Sequence, residues 1–456
     1  MVLAPPGLLT PRWTPLRPHG EQYRLYTSSV KYAVAEAGRR SGKSELAKRH
    51  GVWSALTHHA RSRFPDGYYK FGAPTRQQAK DLYWEDLQRM VPTHFIRKIS
   101  ETELWIDLIN GARLCVVGLD AVKRIEGQPM DRFYGDEAQE WKAGIFDRTI
   151  WPALMTDGRD GRAWIYGVAR EGPEFEELAK RAKSDDPDWG YFSWESASVL
   201  DPAALERVRS RMDPRTFEIE FRARRVSSSG RAYYAWSDDI HARERLRHMY
   251  NRRAPLELSL DFNVEPGVGA ISQRLAFRTE ERLRPDRPEV ADVIDAFFGQ
   301  IWIPYDSNTH RVCRRFVEDW GDHAGDVYVY GDPAGGQRKS SAEGQTDWSI
   351  VRDELGNHFG HDRVHILVRS AAPSVRARVN ATNARLLTAS GVVNTLVDPE
   401  HCDQIIADFN GVFTLPGTAG ELNKKKDPKR THISDGIGYR AEYLYSGDGE
   451  TGGAAI

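Results

Sequence analysis

The chain reads as an α/β protein of two domains, and three observations predict it. Short apolar runs alternate with helix-patterned stretches through the first half, the signature of parallel strands joined by crossover helices and covered on both faces. Ser227-Ser228-Ser229-Gly230 then interrupts the chain with its most linker-like composition. Beyond it several strand-like runs follow one another with a different spacing. A length of 456 residues suits two or three domains, each large enough for its own core.

The elements can be taken in order. Tyr32 to Ala35 (YAVA) reads as a strand and Ser44 to Thr57 as a helix. Tyr68 to Gly72 is a second strand, and Arg76 to Met90 a helix with Leu82, Leu87 and Met90 on one side. Leu114 to Val117, Phe133 to Gly135 and Ala163 to Val168 supply further strands, and Pro202 to Val226 is charged and helical in pattern. In the second half, Leu256 to Phe262 and Val268 to Ser272 look like neighbouring strands, and Val290 to Phe298 like a third. Between the last two, Arg278 to Pro288 makes a polar hairpin tip. Asp326 to Gly331 is a further strand and Val375 to Thr388 an amphipathic helix. These assignments place a first domain at 1–228, with a helical lid over about 175–228, a second at 229–445, and an unstructured Gly-rich tail at 446–456.

Hydrophobic residues at 40%, charged residues at 28% and aromatics at 11% exclude a disordered chain. Lys plus Arg is 64 and Asp plus Glu is 65, a net charge of −1. That balance neither requires nor forbids a nucleic-acid partner, because binding needs a local basic face. No apolar run approaches the ~20 residues that span a bilayer, and the proline-rich opening lacks the order of a secretory signal. The chain is therefore expected to stay in the cytoplasm, away from membranes. Cys115, Cys313 and Cys402 are too few and scattered for a disulfide framework or zinc cluster, and are read as packing residues.

Chemistry begins at Ala37-Gly38-Arg39-Arg40-Ser41-Gly42-Lys43-Ser44, which follows a strand and opens a helix. In that context backbone N–H groups and the helix N-terminus surround phosphate oxygens with partial positive charge. Lys43 would reach the β- and γ-phosphates of a bound nucleotide and the Ser44 hydroxyl a Mg²⁺ position. Ala37 stands where the usual pattern has Gly, which is tolerable at negative φ. Phe133-Tyr134-Gly135 then runs into Asp136 and Glu137. Asp136 would hold the Mg²⁺ through water, and Glu137 would orient or deprotonate the attacking water. Charge developing on the γ-phosphate calls for arginines, and Arg39, Arg40 and Arg124 are the candidates. Gln22, upstream of the loop, could read adenine through its amide.

Three aspartates carry the second half. Asp261 sits within a strand-like run, where a charge is expensive unless paired or metal-bound. Asp332 ends a later strand, and Asp435 begins the helical segment after His432. Brought together by a fold, they form a hard oxygen site for Mg²⁺ or Mn²⁺, and two such ions about 4 Å apart serve phosphodiester cleavage. One aspartate within a first strand, one ending a later strand and one opening a late helix is the layout of a ribonuclease H-like nuclease. Asp295 could be an accessory acid, whereas Asp347 and Asp398 read as surface or turn residues. Lys424, Lys425, Lys426, Lys429 and Arg430, with Arg376, Arg378 and Arg385, place basic groups nearby for a DNA backbone.

The two halves together resemble the large terminase subunit of tailed double-stranded DNA bacteriophages. The resemblance covers roughly residues 20–445. It is carried by Gly38 to Ser44, the segment Ala73-Pro74-Thr75-Arg76-Gln77-Gln78-Ala79, Asp136-Glu137, Gly331-Asp332-Pro333 and Thr431-His432-Ile433-Ser434-Asp435. It implies an additional-strand, helicase-like P-loop ATPase domain and a C-terminal ribonuclease H-like endonuclease that together package viral DNA. By matching position, Arg39 would contact the γ-phosphate, Gln22 the adenine, and Arg124 would act as a finger on a neighbouring subunit. Gly161 to Phe175 would be the coupling motif, although Gly167-Val168-Ala169 lacks its usual Ser or Thr. The implied partners are double-stranded DNA, a portal protein, a small terminase subunit and a homo-oligomeric ring, commonly a pentamer. The implied place is the host cytoplasm, transiently docked on the procapsid and absent from the mature virion. The competing readings are a repair or restriction helicase-nuclease and a portal-docking protein with a gating nucleotide site.

Overall fold

Apolar runs too short for helices pair side by side in the first part of the chain. In the computed structural model they are β1 (Tyr32–Ala37), β2 (Gly67–Ala73), β3 (Ile96–Ser100), β4 (Trp105–Leu108), β5 (Ala112–Gly118), β6 (Arg132–Gly135), β7 (Arg162–Gly167) and β8 (Trp189–Trp194). They form one sheet in the order β3-β4-β5-β2-β6-β7-β1-β8. Every pair from β5 through β8 is parallel, and β3 and β4 add an antiparallel edge. All six residues of β1 are buried, as a strand covered on both faces must be. Ala33 and Ala35 pack on one face with Phe71, Tyr134, Trp164 and Tyr166. Tyr32 and Val34 pack on the other with Phe133, Ile165 and Phe175.

The structure describes residues 19–60, 62–121, 125, 127–226, 230–262, 265–277, 288–336, 345–415, 420–425, 427 and 429–445. They fall into two units, Met1–Leu205 with Glu218–Ser227, and Glu206–Phe217 with Ser228–Ile456. Most of the linker-like run, the hairpin tip and the tail lie outside the described residues, as do Arg124 and Lys426. The stretch 175–228 is not a purely helical lid. It contains β8, which pairs with β1 in register Tyr32↔Trp189, and its residues 206–217 belong to the second unit. The strand WGYFSW was hidden by its charged flanks. Arg76 to Met90 is helical throughout, with a π turn over Lys80–Trp84.

The second unit is built on β9 (Leu256–Asp261), β10 (Gly267–Ala276), β11 (Glu289–Ile303), β12 (Val327–Gly331), β13 (Val364–Ile366) and β14 (Val392–Val397). Their order is β13-β12-β9-β10-β11-β14. Only β10 runs antiparallel to its neighbours. That is the ribonuclease H-like sheet, extended by β14. Helices Val375–Leu386, Asp403–Gly411 and His432–Tyr445 cover one part of it. All three cysteines are free and buried. No helix among the described residues is long and apolar enough to cross a membrane.

Close packing behind the phosphate loop explains a glycine in mid-helix. Helix Lys43–Leu56 follows β1, and a Cβ on Gly51 would lie 2.4 Å from Phe71 Cζ and 2.9 Å from Tyr134 Cε2. Gly51→Val is expected to cost about 1–3 kcal/mol through overpacking, seen as a lower midpoint in chemical denaturation; an unchanged midpoint would contradict this packing.

Candidate functional site

The phosphate loop is shaped by what it must approach. A Cβ on Gly38 would come within 2.3 Å of Ser196 Oγ and 2.6 Å of the Phe221 carbonyl, so only glycine fits. Gly42 adopts φ +83°, which glycine takes at no steric cost. Ala37 ends β1 and is not among the positive-φ residues, so its replacement of Gly is accommodated. The loop is gripped from several sides. Gln22 Nε2 and Trp194 Nε1 donate to the Ser41 carbonyl at 2.9 and 3.1 Å. Gly38 N donates to Trp194 O at 3.0 Å, and Ser196 Oγ to Arg39 O at 2.7 Å. Gln22 thus lies on the loop backbone in this structure.

Lys43 curls back on its own loop, donating to Ala37 O at 2.9 Å and Gly38 O at 3.0 Å. Burial lowers its pKa against the pull of Asp136 and Glu137. The Ser44 hydroxyl donates to Asp136 Oδ2, so the two residues expected to share Mg²⁺ are already in contact. Hydroxyl and carboxylate oxygens suit that ion. Asp136 is buried, and its Oδ1 accepts the Glu137 N–H at 2.9 Å.

Glu137 follows at φ +51°, a strained conformation of the kind found at functional sites. Gln139 Nε2 donates to its carboxylate, and Gln139 Oε1 accepts from Val168 N at 3.2 Å. Gln139 therefore ties Glu137 to the Gly167-Val168-Ala169 turn through an amide.

Arg39 is held by Glu220, whose other oxygen takes Arg170. Burial opposes ionisation of Glu220, but Arg170 and Arg39 outweigh it and hold the carboxyl below its ordinary range. Arg40, at φ +54°, is exposed. Gln139, Arg170, Trp194, Ser196 and Glu220 were not singled out from sequence, since none lies in the loop or the acidic pair.

In the second unit, β9 and β12 are parallel neighbours with Gly331 opposite Leu260. The next residues, Asp332 and Asp261, therefore stand side by side at one sheet edge. Helix His432–Tyr445 delivers Asp435 in its first turn, and Gly436 lets it approach β9, since a Cβ there would already be 3.2 Å from Leu260 C. The three aspartates line one cleft of about 270 Å³, shared with Asp347, Arg378, Lys424, His432 and Tyr439. His432 Nδ1 lies 3.1 Å from Asp261 Oδ2. Asp435 Oδ1 accepts from Arg378 Nη1 at 2.8 Å and Oδ2 from Lys424 Nζ at 3.1 Å. Asp332 Oδ1 accepts from Ala334 N at 2.8 Å. Four carboxylates thus line one polar cleft, and oxygen donors of this kind are chemically suited to a hard divalent cation.

Two expectations are corrected here, and a third is refined. Asp347 is no surface residue but part of this cleft, also accepting from Thr309 Oγ1 at 2.7 Å. Asp295 is no accessory acid. It is buried against Arg440 (2.8 Å), Arg385 (2.9 Å) and Tyr445 (2.9 Å); burial opposes its charge, but the two arginines hold it well below the usual carboxylate range. Asp398 is a turn residue but fully buried, accepting from Arg247 N at 2.8 Å and Glu400 N at 3.0 Å.

No family model and no curated protein matches the chain. Solved structures do. The large terminase from a thermophilic bacteriophage superposes with a TM-score of 0.58 at 13% identity, over 93% of this chain and 98% of that one. The same phage protein in complex with ATP-gamma-S gives 0.55 at 13% identity, over 93% and 98%. Its complex with ADP gives 0.55 at 12% identity, over 94% and 99%. The chain has the large-terminase fold. In that fold the P-loop and Asp136-Glu137 lie in the first unit, and the aspartate cleft lies wholly in the second.

Burial, with Asp136 beside it, pushes the Glu137 carboxyl up. Its folded pKa thus exceeds its unfolded one, so its stabilising contribution is full below the ordinary glutamate range and lost as pH rises through the folded value. Glu137→Gln cannot ionise. Its melting temperature is therefore expected to gain on the parent's as pH rises above the ordinary glutamate range; a pH-independent difference in thermal scans would refute this.

Proposed function

We propose that this chain is the large subunit of a viral DNA-packaging terminase, hydrolysing ATP in its first unit to translocate double-stranded DNA and cleaving DNA in its second. The observation that carries this is the side-by-side placement of Asp261 and Asp332, joined by Asp435, in a unit separate from the P-loop. The large-terminase fold over 93% of the chain supports the same reading.

In the ATPase unit, the N–H groups opening helix Lys43–Leu56 and the Lys43 ammonium would receive the phosphates. Lys43 must exchange its two carbonyl partners for phosphate oxygens, and Arg39 must leave Glu220 to reach the γ-phosphate. Ser44 and Asp136 would hold Mg²⁺, which when bound supplies charge to neutralise the β- and γ-phosphates. Glu137, kept in place by Gln139, would orient and deprotonate the attacking water. Gln22, already on the loop, would report adenine to it. Arg124 would act on a neighbouring subunit of the ring.

In the nuclease unit, Asp261, Asp332 and Asp435 would hold Mg²⁺ or Mn²⁺, which when bound activates water and stabilises the leaving oxygen. Asp347 adds negative charge beside them. His432 orients the Asp261 carboxylate, and Lys424, half-exposed at 54% of its side chain, supplies a cation toward the DNA backbone. The partners that follow are double-stranded DNA, a portal protein, a small terminase subunit and further copies of this chain in a ring, probed as a pentamer first. The place that follows is the host cytoplasm, on a procapsid.

Asp332→Asn is expected to abolish metal-dependent plasmid cleavage while ATP turnover stays at the parent rate. Glu137→Gln should do the reverse, lowering ATP turnover by roughly 10²–10⁴-fold. Joint loss in either variant would overturn the two-site assignment. Separation of forked DNA strands by the intact protein would favour a helicase-nuclease instead.

A further inference from the structure

Thr431, immediately before the metal-cleft helix, has φ +84°. A β-branched residue there is a genuine outlier, because its Cβ crowds the backbone. Thr431 is also buried, so water does not relieve the turn. Such a conformation persists only where surrounding groups over-determine it, and these clusters mark sites whose geometry matters.

One buried carboxylate does the holding. Asp408, on helix Asp403–Gly411 and 0% exposed, points Oδ2 at the start of helix His432–Tyr445. That single oxygen accepts from Thr431 N at 3.1 Å, Ser434 N at 3.2 Å and Ser434 Oγ at 2.9 Å. It is an N-cap supplied by another helix, satisfying N–H groups that a helix start leaves unpaired and facing the positive end of its dipole. Arg430 Nη1, 3.6 Å from Oδ1, balances the charge.

The held turn leads directly to the cleft. The Thr431 carbonyl accepts the Asp435 N–H at 2.6 Å, and the residue between the turn and the helix body is His432, 3.1 Å from Asp261. Relaxing Thr431 to negative φ would swing the first helical turn, and with it both His432 and Asp435.

Resting on the nuclease reading of the cleft, we propose that Asp408 is a positioning residue that locks Thr431 in its left-handed conformation and so sets His432 and Asp435 around the metal. A glycine adopts φ +84° unaided. If holding that turn is what Asp408 contributes, glycine at 431 makes the contribution largely dispensable.

The test uses the full chain and Mn²⁺ uptake by titration calorimetry, taken as the difference from Asp332→Asn protein, with near-UV circular dichroism and thermal melting confirming that the second unit is folded. Asp408→Ala is expected to weaken cleft-specific uptake by roughly tenfold, the equivalent of one lost cap. Asp408→Asn, which keeps an acceptor oxygen, should lose less. Adding Thr431→Gly to Asp408→Ala should recover most of the affinity and of the plasmid cleavage. Parent-like uptake in both Asp408 variants, or a double variant as weak as Asp408→Ala alone, would overturn the proposal. If Asp408→Ala fails to fold, Asp408→Asn with and without Thr431→Gly makes the same comparison. A parent protein without cleft-specific uptake would refute the nuclease reading instead.

Discussion

Parallel strand pairing is the constraint on which both sites depend. Neighbouring parallel strands end at the same sheet edge, so residues just past their carboxyl ends converge however far apart they lie in the chain. In the first unit the phosphate loop leaves β1, Asp136 leaves β6 and Val168 leaves β7, at strands that are contiguous in the sheet. In the second, the β9–β12 register alone puts Asp261 beside Asp332. A slip of one residue would turn one of the two carboxylates to the opposite face.

Electrostatics then completes what topology begins. Carboxylates gathered at one edge repel one another and must be compensated. In the first unit the Ser44 hydroxyl, Gln139 and the Arg39–Glu220–Arg170 cluster share that task. In the second, Arg378 and Lys424 stand on Asp435, and His432 on Asp261. The acids that serve structure are treated differently. Asp295 and Glu257 are shut away around Arg440, which touches both. This ion cluster ties helix His432–Tyr445 to β9 and β11, the frame on which Asp435 is carried. A buried pair of this kind is costly to break because it leaves a charge uncompensated.

Much of this was legible in the sequence because it is locally encoded. A phosphate loop is a continuous run whose glycines, lysine and serine have local geometric reasons, and YAVA, FYGD and VYVYGD declare buried strands by their apolar content. Elements were missed where the local signal was weak or contradicted. IRKIS (β3) is an exposed edge carrying two adjacent positive charges, and WGYFSW (β8) lies among charged helices. The run VVNTLV (β14), between Gly391 and Asp398, was missed although its apolar content carries a strand signal. Asp347 read as a surface or turn residue, and nothing in its neighbours revealed that its helix faces the cleft. Arg124 falls outside the described residues, so its part in the site is carried by resemblance alone.

By itself the sequence determined the two α/β units, the nucleotide loop, the acidic pair and the three aspartates worth bringing together. Only the tertiary structure decided which acids share a cleft and which are buried in ion pairs. It also decided that Gln139 reaches Glu137, that Glu220 occupies Arg39 and that Asp408 holds the turn before His432. The physical reason is that hydrophobic period and turn chemistry act over a few residues. The partner of a charge is set by which strands align and which helices cross, and that information exists only once the chain has closed on itself.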